Sequence, residues 1–302
     1  MKPESNKEIK VPNQIKADIK DMIDPIVVRR RTMAKVGVLA AALLVAGFLS
    51  WQLFFAPPSG EELLAQVVAA AGGMENWNSI EQGTYTRVRT VFDENGQPIE
   101  ELPAVYSFRK GSDYRLLIET TNEQGPIEIG FDGRDYWAVQ NGEPVDPVQL
   151  ARKQGYMCDS DQCTPLCSAE MSFYRFSIPF KMTDPGVIPK VIGAAVLNGS
   201  PVSLLEITFE PEIGRDRWVL FVDDETKLIH KIEHYARVSS DVPPEEIYWS
   251  DHTTEFGITF SHRNTYYRSN GKKLEEFRIT DVDFNSPIPD EKFQKPGAWA
   301  VQ

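Results

Sequence analysis

The sequence predicts an α+β fold, mainly antiparallel β: a strongly curved, incomplete β-barrel of about 10–11 strands, capped by helices and preceded by one N-terminal transmembrane helix. Three observations lead there. Residues 36–55 form an uncharged apolar run, a helical period occupies Glu61–Ala71, and a period of two broken by Gly- and Asn-containing turns fills most of the remainder. With 302 residues, 41% hydrophobic and 11% aromatic, the chain has enough apolar mass for a sizeable core. The organisation expected is a tail at 1–35, a membrane helix at 36–55, a linker at 56–60 and an outer domain at 61–302.

Val36–Phe55 reads VGVLAAALLVAGFLSWQLFF. At a rise of about 1.5 Å per residue it spans about 30 Å, the hydrocarbon thickness of a bilayer. Arg29, Arg30, Arg31 and Lys35 precede it and no basic residue follows until Arg87, so the positive-inside rule places the N-terminus in the cytoplasm and the outer domain outside it. That is the single-pass topology of a bacterial inner-membrane protein. The rival reading is a cleaved twin-arginine signal, from Arg30-Arg31-Thr32-Met33-Ala34-Lys35. Against it, the apolar run exceeds a usual signal core, and the exit Ala56-Pro57-Pro58-Ser59 lacks a small-x-small cleavage site. The tail Met1–Asp24 alternates Lys with Asp, Glu, Asn and Pro, the composition of a solvated segment.

Charge divides unevenly. Residues 1–35 hold nine Lys+Arg against five Asp+Glu, and the rest of the chain holds 23 against 39. An acidic outer domain without a basic stripe argues against nucleic acid as a partner.

In that domain, Pro57-Pro58-Ser59-Gly60 leads into the helix Glu61–Ala71, with acidic residues in its first turn and Gly72-Gly73 as its stop. Leu63, Leu64, Val67, Val68 and Ala71 form one apolar face. Strands are then expected at Thr84–Phe92, Ala104–Arg109, Tyr114–Thr121, Ile127–Phe131 and Tyr136–Val139. A second group is expected at Val202–Phe209, Arg217–Val222, Ile229–Ala236, Glu246–His252, Ile258–Arg268 and Leu274–Asp283. Turns such as Asp93-Glu94-Asn95-Gly96, Asn141-Gly142 and Asn270-Gly271 separate them. Between the groups, Val145–Asn198 interrupts the rhythm with Phe173-Tyr174-Arg175-Phe176, Pro179-Phe180 and a helix-like Pro189–Ala195. This stretch is expected to cover the sheet.

Catalytic and metal signatures are sparse. His230, His234, His252 and His262 lie on or beside strands, none in a helical HExxH or a Cys-His zinc spacing. His230 and His234, four apart on one strand, would stand about 13 Å apart, too far to share a metal. No GxSxG elbow, phosphate loop or dinucleotide fingerprint is present, and the reading is of a protein that is not an enzyme and needs no cofactor. A hydrolase built on a pair of the abundant carboxylates is the third-ranked alternative. Cys158, Cys163 and Cys167 make a C-x4-C-x3-C cluster. One disulfide with a third thiol is expected in an oxidising compartment; a three-thiolate metal site lacks a fourth ligand nearby, and pairing of the odd cysteine with a partner is a further alternative.

Several local patterns occur in an order that resembles a known group. They are Ala71-Gly72-Gly73-Met74-Glu75-Asn76-Trp77, Phe131-Asp132-Gly133-x-x-Tyr136-Trp137, and Ile178-Pro179-Phe180-Lys181 with Asp184-Pro185-Gly186. Leu220-Phe221-Val222-Asp223-x-x-Thr226-x-Leu228-Ile229 follows, then Trp249-Ser250-Asp251 with Gly257-Ile258. Together, over about 61–296, they resemble bacterial proteins of the LolA/LolB-like lipoprotein-carrier fold, in particular outer-membrane-lipoprotein-sorting-like proteins. The resemblance implies an incomplete curved barrel capped by helices whose hollow binds acyl chains. A retained anchor, a cytoplasmic tail and the three-cysteine insertion depart from the soluble carrier, so a tethered lipid or lipoprotein binder is expected rather than a shuttle. Sigma-factor regulators of the RseB/MucB type, which use a similar domain, suggest an envelope sensor or scaffold acting through protein partners as the alternative.

An acyl-chain site needs a concave apolar surface. Candidate lining residues are Leu116, Ile118, Trp137, Phe173, Phe176, Phe180, Trp218 and Phe260, under a lid at Cys158–Phe180. The alternative for each is an ordinary filled core.

Overall fold

A computed structural model describes residues 57–146, 150, 172–236, 243–268 and 270–295. The expected tail (1–35), membrane helix (36–55) and cysteines (Cys158, Cys163, Cys167) lie outside the described residues. Among the described residues no helix is long and apolar enough to cross a membrane.

The chain enters through α1, Gly60–Ala70, and α2, Met74–Ser79. A capping box starts α1: Glu62 N–H donates to Ser59 Oγ at 3.2 Å and Ser59 N–H to Glu62 Oε2 at 2.7 Å. Leu63, Leu64, Val67 and Val68 are buried, the apolar face expected from the spacing, on a helix that packs against β7 (Val187–Leu197) and β8 (Ser200–Phe209). The helix stops at Gly72, whose φ of +112° no other residue adopts readily and whose Cα lies so close to the turn at Gly257 that a Cβ would stand 2.1 Å from the Gly257 carbonyl oxygen. Thr259 N–H donates to Ala71 O at 2.9 Å, fixing the helix end to the sheet.

Among the described residues thirteen strands form one antiparallel sheet in the order β6-β5-β4-β3-β2-β1-β13-β12-β11-β10-β9-β8-β7. The first meander comprises β1 (Gln82–Phe92), β2 (Pro98–Arg109), β3 (Arg115–Asn122), β4 (Gly125–Phe131), β5 (Tyr136–Gln140) and β6 (Glu143–Pro144). The second comprises β7 (Val187–Leu197), β8 (Ser200–Phe209), β9 (Arg217–Asp223), β10 (Ile229–Tyr235), β11 (Glu245–Glu255), β12 (Ile258–Tyr267) and β13 (Lys273–Asp283). Every pairing joins sequence neighbours except β1 with β13, which unites the two halves. Among the described residues β6 and β7 have free outer edges, so the sheet these strands make is open.

Two expectations are corrected. The strand count is thirteen rather than 10–11, because β6 and β7 were not anticipated. Pro189–Ala195, expected to be helical, lies within β7. β-Branched Val187, Ile188, Val191, Ile192 and Val196 favour the extended chain, and Pro189, which has no N–H to donate, is tolerated because β7 is an edge. The register slips between Val191 and Gly193, a bulge that accommodates the glycine.

The sheet is strongly curled. The helical turn 172–176 touches β2 through Phe173 on Phe108 (ring centroids 4.9 Å) and β9 through Tyr174 on Trp218 (6.0 Å). In a flat sheet those strands would be six spacings, roughly 29 Å, apart. Adjacent residues of one turn meet both because the sheet wraps around them. The concave face and this turn make the main core, with α1 at one side.

The opposite face carries a second, smaller core of Leu117, Trp137, Val139, Ile288 and Phe293. It forms under the 3₁₀ turn Asp290–Phe293. Trp137 Nε1 donates to Phe293 O at 3.2 Å, and Gly130 makes room for the indole, since a Cβ there would lie 2.3 Å from the ring. Strand alternation explains both cores: Leu116, Ile118 and Ala138 face one side, Leu117, Trp137 and Val139 the other.

Candidate functional site

The concave face is occupied by the aromatic side chains of the segment that follows residue 171. Phe176 is the central one. Its ring stacks on Tyr85 of β1 (4.1 Å, 12°) and on Phe260 of β12 (5.0 Å, 14°). Phe180, in the 3₁₀ turn Phe180–Thr183, stacks on Trp77 of α2 at 4.7 Å. Ser177 caps the short turn by donating its hydroxyl to Phe173 O at 2.7 Å. Six aromatic or aliphatic residues expected at the site, Leu116, Ile118, Phe173, Phe176, Phe180 and Phe260, meet with Trp218 in one core. Trp137 is not brought among them; it belongs to the cluster on the opposite face.

Beside Phe176 a cavity of about 20 Å³ remains, room for a single water. Its walls include Phe176, Trp218 and Trp249, and also Arg87, Arg175 and Tyr266. The sequence reading anticipated the two first and missed the polar ones. A charged residue in a strand suggests solvent, but Arg87 has the same parity as Tyr85, and that alternation is the signal that could have turned it inward.

Arg87 reaches the cover: its Nη1 donates to Ser172 Oγ at 2.9 Å, and its guanidinium lies 3.6 Å from the centre of the Phe277 ring. Arg175, on the cover itself, donates to Tyr266 Oη at 2.7 Å and to Glu245 Oε2 at 2.7 Å. From Glu245 the network continues to His234, whose Nδ1 is 3.5 Å from Oε2 and whose Nε2 is 3.0 Å from Asp216 Oδ2. The imidazole stacks on Trp218 at 4.0 Å. Burial opposes its charge, but the Asp216 and Glu245 carboxylates outweigh it and raise the His234 pKa. For Glu245, burial would raise the pKa, yet His234 and Arg175 together hold it below the usual carboxylate value. Burial pushes the Tyr85 and Tyr266 hydroxyls up.

With both ring nitrogens engaged by carboxylates, His234 is not a base free to meet a substrate. The other histidines also have local partners: His252 Nε2 sits 3.0 Å from Ile229 O and His262 Nδ1 3.0 Å from Ile279 O. His230 and His234 keep different company, because a register slip between Ile229 and Lys231 breaks the alternation between them, and His230 packs edge-on against His252 at 5.1 Å. No group of three or more His, Cys, Asp or Glu converges as a metal site among the described residues.

No protein-family model matches the chain, and no curated protein sequence matches it. Solved structures do. A LolA superfamily protein from Nitrosomonas europaea superposes with a TM-score of 0.50 at 14% identity, over 79% of this chain and 99% of that one. A DUF1329 family protein from Desulfovibrio piger gives 0.50 at 11% identity, over 78% and 97%. The chain therefore has the LolA/LolB-like fold.

Proposed function

We propose that this protein is a membrane-anchored, extracytoplasmic binder of lipid acyl chains, free or carried by a lipoprotein. One observation carries the reading: the concave face of an open, curled sheet is filled by a short aromatic segment, Phe173 to Phe180, that is not itself a strand of the sheet. A cover that is a separate piece of chain exchanges for an acyl chain without dismantling any strand pairing. Each CH2 buried in its place contributes about 0.8 kcal/mol. The LolA/LolB-like fold supports the reading. The uncharged run 36–55 supports a bacterial inner-membrane location with a cytoplasmic N-terminus and a periplasmic domain. An anchor that stays attached confines cargo to one membrane, favouring reception over shuttling.

Native mass spectrometry of the full chain extracted from its own membrane is the test. A bound lipid mass, with uptake of a fluorescent fatty acid after delipidation, is expected; no lipid and no uptake would sink the proposal. N-terminal sequencing of the mature protein distinguishes the anchor from a cleaved signal.

A second reading, an envelope sensor acting through a protein partner, is favoured by β7. Its outer edge is unpaired among the described residues, and Ile188, Ile192 and Val196 are exposed on it. Such an edge accepts an extended segment by strand addition. Photo-crosslinking from position 192 that captures no specific envelope protein would rule this reading out.

A further inference from the structure

We infer that the cavity under Phe176 is an anionic-headgroup subsite, taking the carboxylate of a long-chain fatty acid between Arg87, Arg175 and the Tyr85 hydroxyl. The inference rests on the acyl-binding reading and specifies the class of amphiphile.

Charge comes first. Two guanidinium groups line this cavity. Glu245 compensates Arg175. The partners of Arg87 are neutral: the Ser172 hydroxyl, the Tyr106 side chain and the Phe277 ring. No carboxylate pairs with Arg87 among the described residues, and nearby Glu275 is held by Arg89 at 2.6 Å. Among the described residues the part-buried Arg87 is therefore a positive charge with no carboxylate paired with it, an arrangement that an anion improves.

Unused hydrogen-bonding capacity comes second. Tyr85 is 1% exposed, yet its hydroxyl has no hydrogen-bond partner among the described residues. Arg175 Nε is also buried and without a hydrogen-bond partner there. Tyr85 and Arg175 both line this cavity. Buried polar groups left unsatisfied in a native structure ask for an explanation, and here two of them flank the same space as the unpaired charge. A carboxylate accepts from both and neutralises Arg87.

Size and lining come third. About 20 Å³ holds a single water, so a carboxylate enters only as the Phe176 ring moves aside, and it asks for less added room than a tetrahedral phosphate with its ester. A guanidinium fork matches two coplanar oxygens. Beside the arginines and Asn264, the walls include Trp218, Ile232, Ile247 and Trp249, an apolar track for the chain once the Phe176 ring turns aside and leaves Arg175 in place.

The test uses full-length protein in phosphatidylcholine nanodiscs, photolabelled with diazirine-bearing palmitic acid and competed with palmitate, hexadecanol, hexadecyl phosphate or acetate. Partition of each competitor into the disc cancels between wild type and variant. The preference for palmitate over hexadecanol should fall by about tenfold or more in Arg87→Met, the factor a charge-assisted hydrogen bond supplies. Tyr85→Phe, which removes only a hydroxyl without a hydrogen-bond partner among the described residues, should lower it severalfold and carries the test if Arg87→Met fails to fold. An unchanged preference in Tyr85→Phe and in folded Arg87→Met overturns the subsite while leaving acyl binding standing. Stronger competition by hexadecyl phosphate, or equal competition by acetate, overturns the fatty-acid carboxylate. Absence of labelling by the palmitic-acid probe overturns the acyl-binding reading and the subsite with it.

Discussion

Replacing Phe176 with alanine separates the cover's contribution to stability from its effect on ligand entry. A buried Phe→Ala change costs about 3–5 kcal/mol. Phe176 belongs near the upper part of that range for two reasons. It stacks on both Tyr85 and Phe260, at 4.1 and 5.0 Å, and each such pair adds about 0.5–1.5 kcal/mol beyond area burial. The vacated space also joins the existing cavity of about 20 Å³, so collapse of the walls recovers little. A loss of about 4–5 kcal/mol is a large share of the roughly 5–15 kcal/mol that typically holds a domain together. An acyl chain that buries about four CH2 groups there returns about 3 kcal/mol. Urea unfolding of the delipidated full chain, followed by tryptophan fluorescence with and without excess palmitate, reads both quantities. The variant should be much less stable alone and be stabilised by palmitate more than wild type is. A loss below about 1 kcal/mol, or the same palmitate shift in both proteins, would refute the role of Phe176 as an exchangeable plug.

Three further outcomes are expected. The raised pKa of His234 stabilises the fold fully below its unfolded value of about 6.5, and that contribution fades as pH rises through the folded value, so the deficit of His234→Gln should be larger near pH 5.5 than near pH 8.5; equal deficits in urea unfolding would refute it. Burial, aided by the Lys181 charge, lowers the Lys110 amine to about 8, so competitive acetylation read by mass spectrometry should show its reactivity titrating near that pH rather than near the ordinary lysine value. Phe293→Ala should destabilise by about 3–5 kcal/mol yet leave palmitate uptake unchanged, because Phe293 packs with Trp137 on the opposite face; loss of uptake in folded variant would show that the faces are coupled.

The strands were legible because their signals are local. Eleven of the thirteen follow from alternation and from turns such as Asn141-Gly142, whose positive φ values of 55° and 79° suit a tight hairpin. The helix reading of Pro189–Ala195 overlooked an equally local signal, Asn198-Gly199, with φ values of 52° and 91° between β7 and β8. The site was less legible because inner and outer faces are assigned by distant chain. Residues 136–139, Tyr-Trp-Ala-Val, are apolar at both parities. Only the arrival of Phe293, more than a hundred and fifty residues later, makes the Trp137 side a second core instead of part of the concave one. Arg87 was hidden for the same reason: its neighbours Ser172, Phe277 and Tyr106 come from three separate stretches of sequence.

That contrast bears on what the concave face is for. Packing alone is served by apolar residues at positions such as 87 and 175, since a buried ion pair replaced by well-packed hydrophobic side chains is often no less stable. The opposite face lies nearer that rule: Leu117, Trp137, Val139, Ile288 and Phe293 pack around one indole N–H that finds its carbonyl, Arg109 is matched by Asp290, and the Ser107 hydroxyl, a buried polar group without a hydrogen-bond partner among the described residues, is neutral. The concave face departs from it further, where two arginines, a tyrosine hydroxyl without a hydrogen-bond partner among the described residues and a residual cavity lie together beside the Phe176 ring. A sheet that packs one face efficiently and leaves charge and space on the other has the chemistry for a ligand with an apolar body and an anionic end.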